Sequence, residues 1–225
     1  MQFCPRFSSQ TAAIPPWSRI DGALFQQELF TKYYGKTVAG LVFVDASHPM
    51  QAKRIKQKIP SFSDGKITPL KKFIMKAMAG TGVLRMILSL SGGLPNHPPR
   101  TIPPWISFAS ASPGLFDELE NLDSIFSEYT AFIAKSKGPV FKNRPFYILT
   151  AMAPLRKDEL FQMGGLTEKD GVTLKKIWKT MHSEYTTWSS NSKHTLVPDA
   201  GHYIQFDRPN IIISAIQWTL AETRK

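Results

Sequence analysis

Two short segments carry residue types that transfer protons together. Asp45 follows the apolar run Val38-Ala39-Gly40-Leu41-Val42-Phe43-Val44, and His202 stands in the run Pro198-Asp199-Ala200-Gly201-His202-Tyr203. A buried carboxylate that accepts from one ring nitrogen of a histidine fixes the ring's tautomer. It also stabilises the imidazolium formed when the other nitrogen takes a proton. A lone aspartate at a strand end is commonly a turn residue, and a lone loop histidine is commonly a satisfied side chain, so neither defines a site alone. The remaining histidines, His48, His97, His182 and His194, show no HExxH-like spacing, and Cys4 is the only cysteine. Neither a metal site nor an intramolecular disulfide is therefore expected. His194 reads as a strand-end residue. Gly92-Gly93 and Gly164-Gly165 read as turns rather than as a phosphate-binding loop, and no cofactor is expected.

These residues need elements to position them. Residues 22–34 read as a helix, with Phe25, Leu29 and Tyr33 at i, i+4, i+8, Asp21 as N-cap and Gly35 beyond the end. Residues 38–45 are short, β-branched and almost wholly apolar, the pattern of a strand buried on both faces of a parallel sheet. Residues 144–151 repeat that pattern with Pro145 near the start, and residues 193–197 give a third short strand. Residues 174–188 read as a helix. Asp207 is expected to cap a last helix running to about Glu222, with Pro209 in its first turn and Ile212, Ile213, Ile216 and Leu220 as its apolar face. Alternating strands and helices predict an α/β class with a parallel sheet. Ligands of such sheets bind beyond the carboxyl ends of the strands, where both Asp45 and His202 would emerge. Residues 50–140 differ: their pattern is helical but broken by eight prolines between Pro60 and Pro113, with 117–135 the clearest amphipathic helix.

The segments VAGLVFVDASHP (38–49) and SSNSKHTLVPDAGHYIQFDRPNIIISAI (189–216) resemble parts of α/β-hydrolase-fold proteins. The first is similar to the strand after the nucleophile helix, the second to the last strand, the catalytic-histidine loop and the final helix. With the 22–34 helix and RPFYILTA (144–151), the resemblance covers most of the chain outside 50–140, which corresponds to the variable helical lid. It implies an irregular segment over 1–21 and a hydrolase-like domain over 22–225, a partial α/β-hydrolase fold. It implies that His202 is the general base. The acid is Asp158 if it follows the second strand and Asp45 if it ends the first. Asp45 is preferred, because Ala-Met-Ala-Pro-Leu-Arg-Lys separates Thr150 from Asp158, and Asp158 and Glu159 read as solvated acids at a helix start.

The parent activity of that family is hydrolysis of ester or similar bonds by a nucleophile, a histidine and an acid. A nucleophile elbow, G-x-S-x-G, belongs just before Gly22, and it is not found there. One alignment puts Ile20 in the nucleophile slot. A shift by one puts Asp21 there, with Arg19 at a crowded position, and Ser18 meets Ile20 where a glycine belongs. Ile14-Pro15-Pro16-Trp17 cannot be a central strand. The chain is therefore expected to be the C-terminal part of such a protein, whether by truncation, misassigned start or degeneration. It is expected to be inactive or nearly so alone, with exposed sheet edges that favour self-association.

Length and charge bound the alternatives. The 225 residues, 42% hydrophobic and 20% charged, suffice for one domain with a substantial core. The formal net charge of +11 invites a nucleic-acid or anionic-membrane partner. From Lys53 to Lys76 there are eight basic residues and one acid, Asp64. No nucleic-acid module or interleaved stacking motif accompanies them, so nucleic acid is not expected. An anionic membrane surface is the alternative, with 73–90 read as an amphipathic, surface-seeking helical pair. The first 19 residues lack a continuous apolar stretch, and no long apolar run follows, so neither a signal peptide nor a spanning helix is read and a cytoplasmic location is favoured.

Overall fold

A computed structural model describes residues 38–62, 68–90, 130–131 and 138–225. The 22–34 helix, most of the 117–135 helix, and Ser18, Ile20 and Asp21 lie outside these residues. The described elements begin with strand β1 (Leu41–Val44), followed by helices α1 (Gln51–Lys58), α2 (Pro69–Gly80) and α3 (Val83–Leu90). Strand β2 (Phe146–Ala151) leads to α4 (Lys157–Gln162), α5 (Glu168–Glu184) and a 3-10 turn (Tyr185–Trp188). Strand β3 (Ser192–Val197) precedes a short α6 (Ile204–Asp207) and α7 (Pro209–Glu222).

The three strands form a parallel sheet in the order β1-β2-β3. Leu41 pairs with Phe146 and Val44 with Leu149, while Phe146 pairs with Ser192 and Ala151 with Val197. All six residues of β2 are buried, as its almost wholly apolar sequence requires of a central strand. Among the described residues, β1 and β3 are the sheet edges.

Side chains alternate between two packed faces. On one, Phe146 and Ile148 join Phe43, Phe141, Tyr185 and Trp188 in an aromatic cluster. Phe43 meets Phe146, Phe141 and Tyr185 edge-on at 4.7–6.2 Å, the arrangement that ring quadrupoles favour. On the other face Tyr147, Leu149 and Ala151 pack with Val197, Ile204 and Ala215, covered by α7. Helices on both faces of a parallel sheet make the class α/β, as the alternating sequence pattern predicts.

Three local expectations are corrected. Asp207 does not cap α7. It ends α6, and Arg208 takes the N-cap position with no side-chain cap bond, ahead of Pro209. The apolar face of α7 is also rotated from the expected one. Ala215 and Thr219 are buried, with Ile211, Ile212 and Trp218 beside them, while Ile213, Ile216 and Leu220 are exposed. Close approach explains the rotation: a Cβ on Gly40 would meet Thr219 Cγ2 at 2.5 Å, so small residues must face the sheet there. Finally, α5 starts six residues before Leu174. Thr167 and Asp170 form a reciprocal capping box, with Asp170 N–H donating to Thr167 Oγ1 and Thr167 N–H to Asp170 Oδ2.

The first residues of the segment 50–140 contribute to a buried cluster. Ile55 of α1 and Ile59 are buried with Leu160, Leu166, Leu174 and Met181, and Arg54 pairs with Glu184 at the end of α5. The next helices, α2 and α3, pack on each other through Ala79 and Leu84, with Met75 and Met78 alongside.

Candidate functional site

The site lies at the carboxyl ends of β1 and β2. Asp45 is the residue after β1, and its N–H still donates to Leu149 O at 2.8 Å. Its backbone then turns through φ 47°, a left-handed conformation that Asp and Asn tolerate better than most residues. The side chain is buried, and its hydrogen-bond partners are all donors. Oδ1 accepts from Ala151 N–H and from Trp178 Nε1–H, each at 3.0 Å, and Oδ2 accepts from His202 Nδ1–H at 2.8 Å. Burial pushes this carboxyl up. The hydrogen bond and charge of His202, then His182 and the Ala151 N–H, outweigh that and hold it below its ordinary value. The group is an anion in a fixed orientation.

His202 reaches Asp45 from a loop that is pinned at several points. Gly201 N–H donates to Asp207 Oδ2 at 2.8 Å, the task that takes Asp207 away from capping α7. Ala153 N–H donates to Ala200 O at 3.1 Å, and Arg208 pairs with Asp199. Because Asp45 only accepts, Nδ1 carries the hydrogen and Nε2 is the basic nitrogen. The His202 side chain is 30% exposed, and among the described residues no hydrogen bond occupies Nε2. The imidazole is thus oriented on one side and open on the other. The fold thus brings together the two residues that the sequence segments single out.

Asp158 does not share this site. Its carboxylate takes two hydrogen bonds from Arg156, Nε–H at 3.0 Å and Nη2–H at 3.1 Å, in the first turn of α4. The Arg156 bond is the main cause holding its pKa below the ordinary value.

A second histidine borders Asp45. His182, on α5, is fully buried, with Nδ1 3.9 Å from Asp45 Oδ1. Its Nε2 lies 2.8 Å from Ala46 O, which can only accept, so Nε2 bears the hydrogen and Nδ1 is bare. Thr150 Oγ1, 2.8 Å away, must then donate to Nδ1 and accept in turn from His194 Nε2–H, also at 2.8 Å. His182 is pushed down to about 4, first by burial and against the pull of Asp45, so it stays neutral. His194 sits in the middle of β3 rather than at its end, and burial lowers it too. His48, also buried, accepts from Met50 N–H at Nδ1 and is driven down to about 3 by burial, with Arg54 and His182 adding to the effect.

Two further residues of α5 complete the surroundings. Lys175 Nζ donates to Ala151 O at 3.0 Å, and burial lowers its pKa although Asp45 and Glu159 pull it upward. Trp178 supplies the indole bond to Asp45. Neither of these, nor His182 or Thr150, stands out as a site residue in the sequence. One signal was present: Leu174, Trp178 and His182 recur at i, i+4, i+8, which places a polar ring on the buried face of the helix.

The arrangement can accept a proton at His202 Nε2 and stabilise the resulting imidazolium with Asp45. Among the described residues no serine, threonine or cysteine side chain hydrogen-bonds His202, and no group of three or more His, Cys, Asp or Glu is placed to hold a metal ion. No protein-family model matches this chain, and neither the curated proteins nor the solved structures hold a significant match to it.

Proposed function

We propose that Asp45 and His202 are the acid and base of an α/β-hydrolase-type site that acts on ester or similar bonds. The observation that carries this reading is the 2.8 Å contact between His202 Nδ1 and the buried Asp45 Oδ2, which leaves Nε2 open. The parallel order β1-β2-β3, with the acid after β1 and the histidine after β3, supports it as well. In this reading Nε2 removes the proton from an attacking hydroxyl or water and later returns it to the leaving group. Asp45 holds the tautomer and balances the imidazolium charge. No G-x-S-x-G elbow stands before Gly22 in the sequence, so weak turnover by the chain alone is expected.

Hydrolysis of a short-chain aryl ester tests this. The expected result is turnover barely above buffer, far short of the about 10²–10⁴-fold that general-base catalysis supplies in a complete site, and lost in His202→Ala and in Asp45→Asn. Asp158→Asn retains it. Equal rates for the wild type and His202→Ala, once background is subtracted, would remove the ester-hydrolase reading from this chain.

A further inference from the structure

Helices α2 and α3 expose the residues that a water-facing helix normally hides. On α2, Leu70, Phe73, Ile74 and Ala77 are exposed and fall at i, i+3, i+4, i+7. On α3, Val83, Met86, Ile87 and Leu90 are exposed at the same spacing. Phe73 is 71% and Leu90 80% exposed, so these are not residues half-covered by their neighbours. The inner faces are apolar too, since Ala79 and Leu84 pack the two helices together. Each helix therefore has one apolar face turned to its partner and a second turned outward. Isolated exposed apolar residues are ordinary, but two aligned stripes on adjoining helices mark a surface built to be covered.

Charge identifies what covers it. Residues 65–116, which contain both helices, hold no aspartate or glutamate and six basic residues, Lys66, Lys71, Lys72, Lys76, Arg85 and Arg100. Arg85 is exposed on α3 between Leu84 and Met86. An apolar stripe on a basic, acid-free segment matches the two parts of an anionic lipid surface, acyl chains beneath and negative headgroups at the same level. Neither helix is long and apolar enough to cross a bilayer, so they would lie in its interface.

We propose that the α2–α3 pair docks the protein on anionic membrane surfaces, with the two stripes entering the acyl boundary and the basic residues meeting headgroups. This does not depend on the hydrolase reading, because the hairpin and the Asp45–His202 pair share no residue.

Co-sedimentation of the full chain with vesicles tests it, using phosphatidylcholine alone and phosphatidylcholine mixed with phosphatidylserine. Binding to the mixed vesicles is expected to exceed binding to neutral ones by at least about tenfold at low salt and to weaken as salt rises. Phe73→Ser combined with Ile87→Ser alters exposed side chains only and should abolish binding without shifting the melting curve. Lys71→Gln, Lys72→Gln and Arg85→Gln together should weaken it by about fivefold per residue. Absence of binding at low salt overturns the proposal, as does binding that neither set of substitutions changes. It is also overturned if the chain forms dimers without vesicles that Phe73→Ser/Ile87→Ser dissociates, because the stripes are then an interface between copies.

Discussion

Asp45 has a histidine on either side, and the two are held in opposite ways. His182 comes from the middle of a long helix, is wholly buried, and spends both ring nitrogens on internal partners, Ala46 O and Thr150 Oγ1. His202 comes from a loop, is partly exposed, and spends one nitrogen on Asp45 while the other stays open. The same side chain beside the same carboxylate thus does two jobs. A histidine with both nitrogens occupied in the core contributes to the fold, whereas one with an open nitrogen at the surface is available for proton transfer. The comparison teaches that proximity to a buried acid does not make a histidine a base.

The largest test removes what the two share. Asp45→Ala takes the acceptor from Ala151 N–H, Trp178 Nε1–H and His202 Nδ1–H together, and places a less tolerant residue at φ 47°. Leaving buried donors unpaired should lower stability by about 3–5 kcal/mol, read from the denaturant midpoint. Asp45→Asn keeps an acceptor and the left-handed preference and should cost less than half of that. Equal losses in both variants would mean that the carboxylate charge, rather than its hydrogen-bond capacity, organises the site.

Acid separates the histidines next. Burial pushes His182 down to about 4 and His48 down to about 3 in the folded chain, against an ordinary value of 6.5. Between those values the unfolded chain binds more protons than the folded one, so stability rises with pH. The contribution is complete above about pH 6.5 and is lost as pH falls toward 4 for His182 and toward 3 for His48. Each histidine gives a slope of up to about 1.4 kcal/mol per pH unit inside its window. Denaturant unfolding at pH 7, 6 and 5 should show this decline. A flat profile would mean that neither ring is held neutral.

A smaller effect isolates the internal partner. Thr150→Val removes the hydroxyl that links His182 Nδ1 to His194 Nε2–H. His194 is half-buried and can turn to water, but His182 cannot, so the expected loss is about 1–2 kcal/mol, restored by Thr150→Ser. No change would show that the hydroxyl bridge contributes nothing beyond packing.

How legible these features are in the sequence follows the same division. Asp45, the β-strands and the His202 loop stand out because each is local: a β-branched apolar run ending in a carboxylate, or a Gly-His pair before a helix. The Asp45–His182–Thr150 neighbourhood joins Asp45 to residues more than 100 positions away, and no spacing rule connects them. Asp207 misleads for a related reason. Before a Pro-containing helix start it reads as a cap, yet Gly201 N–H, six residues back, holds the carboxylate instead. The apolar face of α7 is misread because isoleucine content suggests burial, whereas the close approach of Gly40 to Thr219 requires small side chains at the contact. Ser18, Ile20, Asp21 and the 22–34 helix lie outside the described residues.

The smallest structural effect is expected where the functional one is greatest. His202→Ala deletes a partly exposed ring and leaves Asp45 with its Ala151 and Trp178 donors, while water can reach Oδ2 through the space vacated. Stability should change by about 1 kcal/mol or less, in line with substitutions at partly exposed positions. His182→Leu, by contrast, strands Ala46 O in the interior, leaves the Thr150 hydroxyl with His194 alone, and should cost about 2–4 kcal/mol. If His202→Ala proves as damaging to the midpoint as His182→Leu, then His202 is a structural clamp for the 198–203 loop, and its open Nε2 is incidental. A loss confined to hydrolysis keeps the two histidines in their separate roles.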